Sequence, residues 1–340
     1  MELDERKKLI LASIIKDYVE TAEPVGSRAI VKKYAMNISA ATVRNEMYDL
    51  EEMGYLYQLH TSSGRIPSEQ GFRYFVDNMM EKESIDDEEL QTLQEILKGQ
   101  MHEWVNVVEK VGNFLSVITN HAAFIILPPF SLSEFKHMEI LPYSPGKAVV
   151  FLISDMGLIM HRKIDIHETI GNNDLNDIAA LFNKVFRRKR ISDVSRSDLQ
   201  QLKDNLRKKH KAIEKALEAL EIMLSDSQEE KVLLSGALNM LSEPEFKDLE
   251  KLKRILTMFG EEGFIKNVVP SNPDTEASIM IGSENLLDDM KDLALVYAGY
   301  NNNNVIGKIG LLGPIRMSYG KSAGAVESIR ELLEDIVKKY

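Results

Sequence analysis

The chain has 340 residues, a formal net charge of −11 and 44% apolar residues. This length predicts two or three domains with buried cores, and the composition excludes a chain that is disordered throughout. Cysteine is absent, which excludes disulfides and cysteine-bound zinc. Because this absence is compatible with a reducing cytosol, we expect a cytoplasmic protein.

The first elements follow the order helix, helix, helix. Over residues 4–21 the apolar positions have the 3, 4 spacing of an amphipathic helix. The apolar run at its start could suggest a signal peptide, but Lys16 and Asp17 interrupt it. Ser27 and Ser39 are predicted N-caps of a second and a third helix, joined by a tight turn. The third helix runs to about Met53, and Gly54 is its predicted C-terminal stop.

A hairpin and a fourth helix are predicted to follow. Residues 55–61 alternate like a strand, residues 62–64 supply a turn, and residues 65–67 begin the return strand. Another helix is predicted from Ser68 to about Met80. This order is typical of a winged helix-turn-helix, so we predict a DNA-binding unit at the N-terminus.

The distribution of charge supports this prediction despite the acidic total. Residues 1–80 contain 10 Lys or Arg and 12 Asp or Glu, so most of the negative charge lies elsewhere. Residues 24–45 and 53–68 contain no Asp or Glu at all. A surface that faces phosphates avoids carboxylates, and cations there can neutralise several phosphates. The candidate phosphate-binding residues in these windows are Arg28, Lys32, Lys33, Arg44 and Arg65.

The third helix is the candidate recognition helix, because the second helix of a helix-turn-helix meets base edges with its N-terminal residues. The residues nominated for this role are Ser39, Ala40, Thr42, Arg44 and Asn45. Arginine pairs bidentately with guanine, and asparagine pairs with adenine.

The hairpin is the candidate wing, whose hydroxyls and backbone amides can bond phosphates. Its nominated residues are His60, Thr61, Ser62, Ser63, Gly64 and Arg65. Gly64 is expected to permit the tight turn, and Arg65 is expected to enter a minor groove. The alternative is a winged helix that contacts protein, in which Ser39 is only a cap and Arg44 only a solvated charge.

The rest of the chain reads as a mixture of strands and helices. A charge run over residues 81–89 is the first predicted linker, and the apolar stretch 111–130 holds too many polar residues and prolines for a membrane span. Helices are predicted over residues 89–119, 174–188, 198–224, 231–241, 245–259 and 322–339, and strands over 135–140, 147–153, 158–166, 277–282, 293–300 and 305–312. Apolar spacing over residues 206–224 favours an interaction helix.

Several motifs carry a resemblance to a known family. Residues 39–47, 50–56, 60–67 and 71–77, together with the closing segment 310–319, closely resemble the heat-inducible transcription repressor family, HrcA. These motifs bracket nearly the whole chain.

The resemblance implies a multidomain α+β protein with three modules. These are a winged helix over residues 1–82, a discontinuous GAF-like α+β domain over 83–132 and 229–340, and an inserted dimerising domain over 133–228 with a small antiparallel sheet and helices. The implied function is negative regulation of chaperone-operon transcription by a homodimer that binds an inverted repeat in double-stranded DNA. The implied partner is a GroE-type chaperonin that keeps the repressor active.

Two other function classes remain as alternatives. An enzyme would need a site, but residues 320–322 end like a phosphate-binding loop with Ile315 where that motif requires glycine, and His161 and His167 lack a metal-binding spacing. We therefore expect no catalytic residue, metal or cofactor. The second alternative is a repressor whose GAF-like domain binds a small molecule.

Overall fold

The protein is described by a computed structural model that covers most of the chain. The described residues are 3–60, 63–97, 104–155, 159–168, 170–194, 215–216, 218–219, 221–223, 229–261, 263–285, 287–302 and 305–337. They form a mixed α+β fold with three antiparallel sheets in this part of the chain. No helix within these ranges combines the length and the apolar character needed to cross a membrane.

Residues 3–78 form what we call the N-terminal unit, and the predicted order of elements is confirmed there. The elements are α1 (Glu5–Thr21), α2 (Ser27–Lys33), α3 (Ala40–Glu52), β1 (Leu56–Tyr57), β2 (Ile66–Pro67) and α4 (Glu69–Asn78). Short-range signals set most of these boundaries. The Ser39 hydroxyl accepts a hydrogen bond from the Thr42 amide at 3.0 Å, and Gly54 follows α3 with a φ of 82°.

Two local predictions in this unit are corrected. Gly26, not Ser27, is the N-cap of α2, because Gly26 has the extended backbone that an N-cap requires and Ser27 is already helical. The hairpin is also shorter than predicted, with two paired residues on each strand. Beyond Tyr57 the tip is held by side-chain hydrogen bonds of Gln58 and Ser63, and the ladder does not extend there.

The remaining elements follow in chain order. They are α5 (Asp87–Leu97), α6 (Trp104–Thr119), β3 (Ala122–Leu127), β4 (Phe135–Ser144), β5 (Lys147–Ser154), β6 (Ile159–Asp165), α7 (Asn172–Phe186), β7 (Lys231–Ser235), α8 (Leu249–Gly260), α9 (Phe264–Val268), β8 (Ser278–Ile281), β9 (Leu293–Asn302), β10 (Val305–Pro314) and α10 (Tyr319–Val337). The predicted helix 198–224 lies mostly outside the described residues.

The largest sheet is five-stranded and antiparallel, in the order β7-β3-β10-β9-β8. One face, including Ile125 and Leu311, packs in the same core as α6 and α10, whereas the other, including Phe124 and Leu312, packs with α8 and α9. The predicted helix near residues 231–241 is wrong at its start, because this segment pairs with β3 as an edge strand. Strand β3 itself was not predicted.

A separate meander joins β4, β5 and β6, as predicted, in an antiparallel sheet. Helix α7 packs against one face, where Met138, Ile140 and Leu152 are buried. Among the described residues, Leu141, Tyr143 and Ile159 stay exposed, at 42%, 61% and 58%. This small sheet therefore has one covered face and one largely open face.

The predicted linker is packed against the rest of the protein. The Glu83 amide donates to the Gly320 carbonyl at 3.0 Å, and the Lys82 ammonium lies 2.7 Å from a Glu327 carboxylate oxygen. Ile85 is buried in the main core. Part of the charge run thus packs along α10 as an ordered segment.

Candidate nucleic-acid interface

Helix α3 presents one face to the core and the opposite face to solvent. Val43, Met47 and Leu50 are buried. The helical repeat of 3.6 residues then turns Ala41, Arg44, Asn45 and Tyr48 outward, and all four are exposed. We call these four residues the outer face of α3.

The nominated recognition residues divide into two groups. Arg44 and Asn45 belong to the outer face, whereas Ala40 and Thr42 are half-buried. The Thr42 hydroxyl lies 2.9 Å from the Ser39 hydroxyl, so both side chains take part in the cap of α3.

Sequence reasoning missed Ala41 and Tyr48, although Tyr48 is 55% exposed. The 3, 4 spacing from Ala41 through Arg44 and Asn45 to Tyr48 is the signal that could have identified them. Its exposed ring is available to a partner, whereas its hydroxyl hydrogen-bonds the Glu52 carboxylate, whose charge raises the pKa of Tyr48.

The hairpin is held at its base by the loop before α2. The Val25 and Arg65 backbones exchange two hydrogen bonds of 2.9 Å. A Cβ on Gly64 would lie 2.5 Å from the Val25 carbonyl, so the glycine is required by close approach of two backbones and not by a positive φ. This replaces the tight turn as the reason for Gly64.

The tip of the hairpin is ordered around Ser63. The Ser63 hydroxyl accepts a hydrogen bond from the His60 amide at 3.1 Å and lies 2.8 Å from the His60 carbonyl, to which it can donate. The Gln58 side-chain amide donates to the Ser63 carbonyl at 2.8 Å. His60 is exposed, whereas Thr61 and Ser62 lie outside the described residues.

Two of the nominated cations are already paired with carboxylates. The Lys33 ammonium lies 2.6 Å from both Asp17 and Glu20, and these hydrogen bonds raise its pKa. The Arg65 Nε donates to the Glu51 Oε2 at 2.7 Å, and the Arg65 Nη2 lies 2.7 Å from the same oxygen. Arg65 therefore ties the hairpin to α3 in this structure and does not project from the tip as expected.

Arg28, Lys32 and Arg44 differ from these paired residues. Each is exposed, and none has an ion pair with another residue in the described part of the chain. Arg28 and Lys32 lie on α2 and Arg44 lies on α3, the two helices that pack against each other. Three of the nominated cations are therefore not neutralised by any described carboxylate.

Two of the carboxylates of α3, those of Glu46 and Asp49, are neutralised from α1. The Lys7 ammonium lies 2.6 Å from Glu46 and 3.0 Å from Asp49, and Arg6 lies 3.3 Å from Glu46. The hydrogen bonds to Glu46 and Asp49 raise the pKa of Lys7. Repulsion between α3 and an approaching polyanion is reduced by this pairing.

The structure offers little support for metal or small-molecule chemistry. Over the described residues, no group of three or more His, Asp or Glu side chains is arranged to hold a metal ion. A cavity of about 560 Å³ beside β7 and α9 has five charged residues among its eleven lining residues, including Glu229, Lys231 and Lys266. Small-molecule sites are mostly apolar, so this cavity does not favour the ligand-sensing alternative.

The comparisons with known proteins fit a class of DNA-directed regulators. Residues 105–322 match the family model described as HrcA protein C terminal domain. The chain is 39% identical over 341 residues to the heat-inducible transcription repressor HrcA of Desulfitobacterium hafniense, covering 99% of this chain and 98% of that one. It is 37% identical over 336 residues to the repressor of the same name from Carboxydothermus hydrogenoformans, with 98% of each covered. The chain belongs to the HrcA family of transcription repressors.

One solved structure supports the fold over the full length. A crystal structure of a protein described as hypothetical superimposes with a TM-score of 0.70 and covers 99% of both chains. Its sequence identity is 22%, so this likeness concerns the fold alone.

Proposed function

We propose that this protein represses heat-shock transcription by binding operator DNA through a winged helix formed by the N-terminal unit. The observation that carries the proposal is the outer face of α3, which is exposed and flanked by the unpaired cations Arg28 and Lys32. Relatives along the whole chain carry the name heat-inducible transcription repressor. We assign the protein no catalytic role.

Helix α3 would enter the major groove with its N-terminal half. Arg44 would pair with guanine and Asn45 with adenine, since these are the bidentate matches of the two side chains. Tyr48 would follow one turn later on the same face. The carboxylates farther along α3 are consistent with this direction of entry, because they would lie away from the base edges.

Phosphate contacts would come from both sides of α3. Arg28 and Lys32 on α2 would neutralise one strand, and the hairpin around His60, Ser62 and Ser63 would approach the other. Arg65 would act as a brace that sets the angle of the hairpin, because its guanidinium is engaged by Glu51. Lys33 would contribute less, since Asp17 and Glu20 already neutralise it.

The proposed binding species is a homodimer on an inverted repeat, because two-fold symmetry in the protein matches two equivalent half-sites. We propose residues 133–228 as the inserted dimerising domain. The open face of the β4-β5-β6 sheet supports this assignment, since exposed Leu141, Tyr143 and Ile159 would be covered in a dimer.

The proposed GAF-like domain comprises residues 83–132 and 229–340. Its discontinuous sequence is supported by the pairing of β3 with β7 and β10, which come from the far side of the inserted segment. By the resemblance of the sequence motifs, we also propose that the protein acts in the cytoplasm with a GroE-type chaperonin that keeps it active.

A mobility-shift titration of the full-length chain tests the proposal. The probe is a duplex carrying the inverted repeat found upstream of a chaperone operon, and the control is a scrambled duplex of equal length and composition. We expect tighter binding to the inverted repeat, and a larger active fraction when chaperonin is added. Equal binding to both duplexes would refute operator recognition, whereas no effect of chaperonin would refute only that partner.

A further inference from the structure

Arg316 connects the end of the five-stranded sheet to the N-terminal unit. It lies between β10 and α10, and its guanidinium donates to the Val19 carbonyl at 2.9 Å and to Glu243 at 2.5 Å. It also forms two hydrogen bonds with Glu245. Its side chain is 10% exposed. A buried guanidinium with four acceptor atoms on three residues has little freedom to move.

The contact with Val19 satisfies one of the last carbonyls of helix α1. The last four carbonyls of a helix lack partners within the helix, and they carry partial negative charge. Helix α1 has no basic residue in its last turn. Arg316 supplies both the missing donor and the missing positive charge from 297 positions away in the sequence.

Helix α4 makes a second connection to the same part of the protein. The Arg73 guanidinium donates to Glu284 at 2.7 Å and to the Ile279 carbonyl at 2.7 Å. The Glu69 carboxylate accepts hydrogen bonds from the Ser283 amide at 3.0 Å and the Ser283 hydroxyl at 2.5 Å. These bonds join α4 to β8 and the turn that follows it.

An aromatic contact lies between these two polar connections. The Phe72 ring meets the Tyr319 ring edge-on, with centroids 5.9 Å apart. Both side chains are almost fully buried. We call the whole set the joint, which consists of Val19, Glu69, Phe72 and Arg73 on the N-terminal unit and Glu243, Glu245, Ile279, Ser283, Glu284, Arg316 and Tyr319 on the other side.

The joint leaves the outer face of α3 uncovered. Arg44 and Asn45 remain exposed while α1 and α4 are held. Charge-assisted hydrogen bonds are directional, so a rotation of the N-terminal unit would break several of them at once. The joint therefore restricts orientation without competing for DNA.

We propose that Arg316 is a positioning residue for operator binding, which holds the N-terminal unit so that the two outer faces of a dimer keep a fixed separation. This inference rests on the proposed function, because it requires a dimer on an inverted repeat. In B-form DNA, one added base pair moves a half-site by about 3.4 Å and rotates it by about 35°. A rigid joint cannot follow such changes, so it makes binding selective for half-site spacing.

Full-length protein titrated with a series of duplexes tests this role. The duplexes carry identical half-sites at the native spacing and at spacings changed by one and two base pairs, and a further duplex carries one half-site. For the unaltered chain we expect at least a tenfold loss of affinity at two added base pairs. Arg316→Gln should bind the duplex with native spacing less tightly than the unaltered chain does. Its affinity should vary less than threefold across the series of spacings.

The single half-site separates positioning from a general loss of DNA binding. Arg316→Gln should bind it within twofold of the unaltered chain. Arg330→Gln is the matched control, because Arg330 is nearly as buried as Arg316 and its ion pairs join it to Glu331 and Glu334 within α10. It should keep the steep spacing profile. A steep profile in Arg316→Gln, or an equal loss on the single half-site, would overturn the proposal.

A spectroscopic distance tests the joint without DNA. Because the chain has no cysteine, Asn37→Cys and Lys253→Cys can carry two spin labels, one on each side of the joint. Dilution with unlabelled chain removes distances between protomers. We expect a narrow distribution that becomes at least twice as wide in Arg316→Gln, and an unchanged width would contradict the proposal. If the unaltered chain prefers no inverted repeat, the proposed function fails while this measurement still reports on the joint.

Discussion

The outer face of α3 and the joint lie on different parts of the same N-terminal unit, and they use arginine in opposite ways. Arg44 is exposed and has no ion pair among the described residues, whereas Arg73 and Arg316 each donate to carboxylates and to a backbone carbonyl. An unpaired surface cation is available to an external anion. A buried, paired cation instead maintains geometry, and losing one partner leaves the other uncompensated.

The largest expected effect concerns the exposed residues Arg44 and Asn45 on the outer face of α3. Arg44→Ala should weaken binding to the inverted repeat by about 1–3 kcal/mol for each half-site and relax the preference for one base. Asn45→Ala should behave similarly at a neighbouring base. Both residues are exposed, so the melting temperature should stay the same. Fluorescence anisotropy titration measures the loss, with Arg254→Ala as the control.

Unchanged operator affinity in both Arg44→Ala and Asn45→Ala would contradict the assignment of α3 as the recognition helix. The alternative in which the unit contacts protein would then gain support.

The second effect concerns a buried histidine beside the joint. Burial lowers the pKa of His121 to about 4, and the nearby Arg316 charge acts in the same direction. Above pH 6.5 His121 is neutral in both folded and unfolded chains. As the pH falls from 6.5 to 4, the unfolded chain binds the proton first, so the free energy of unfolding should drop by roughly 3 kcal/mol from this group.

Denaturant unfolding at several pH values checks this prediction. His121→Leu should remove most of that decline, because the buried group no longer titrates. His137→Leu is the matched control, since His137 is exposed and the decline should persist. A decline of the same size in His121→Leu would show that burial of this histidine is not its cause.

The smallest expected effect separates two neighbouring lysines on α2. Lys32→Ala should weaken binding to all duplexes and reduce the slope of log affinity against log salt by about 1. Lys33→Ala should change that slope less, because Asp17 and Glu20 already neutralise the Lys33 ammonium at 2.6 Å. Titrations between low and moderate salt provide the slopes. A larger change for Lys33 than for Lys32 would be evidence against the distinction between paired and unpaired cations.

The sequence predicts the N-terminal unit and the β4-β5-β6 meander well because their signals are local. The cap at Ser39, the buried positions Val43, Met47 and Leu50 and the meander of short strands all depend on residues close in the chain. Strand β3 escaped prediction because every residue from Ala122 to Leu127 is buried, so no alternation of polar and apolar residues marks it. Its partners lie more than 100 residues away.

The candidate site was predictable in composition but not in pairing. The acid-free windows identified Arg28, Lys32 and Arg44, which the structure leaves unpaired among the residues it describes. They could not reveal that Lys33 and Arg65 are engaged, because the acidic partners lie outside the windows. The bond from Arg316 to Val19 is likewise invisible to any pattern of spacing.

Site-directed cleavage of the operator tests the central claim most directly. Glu52 is exposed at the end of α3, and Glu52→Cys would be the single cysteine of the full-length chain, able to carry an iron chelate. If α3 lies in the major groove, the chelate on Glu52→Cys should cleave the strands within both halves of the inverted repeat, symmetrically about its centre, and the same chelate on Lys253→Cys should cleave neither half. Cleavage from Lys253→Cys but not from Glu52→Cys, in protein that still binds the repeat, would contradict this placement of α3.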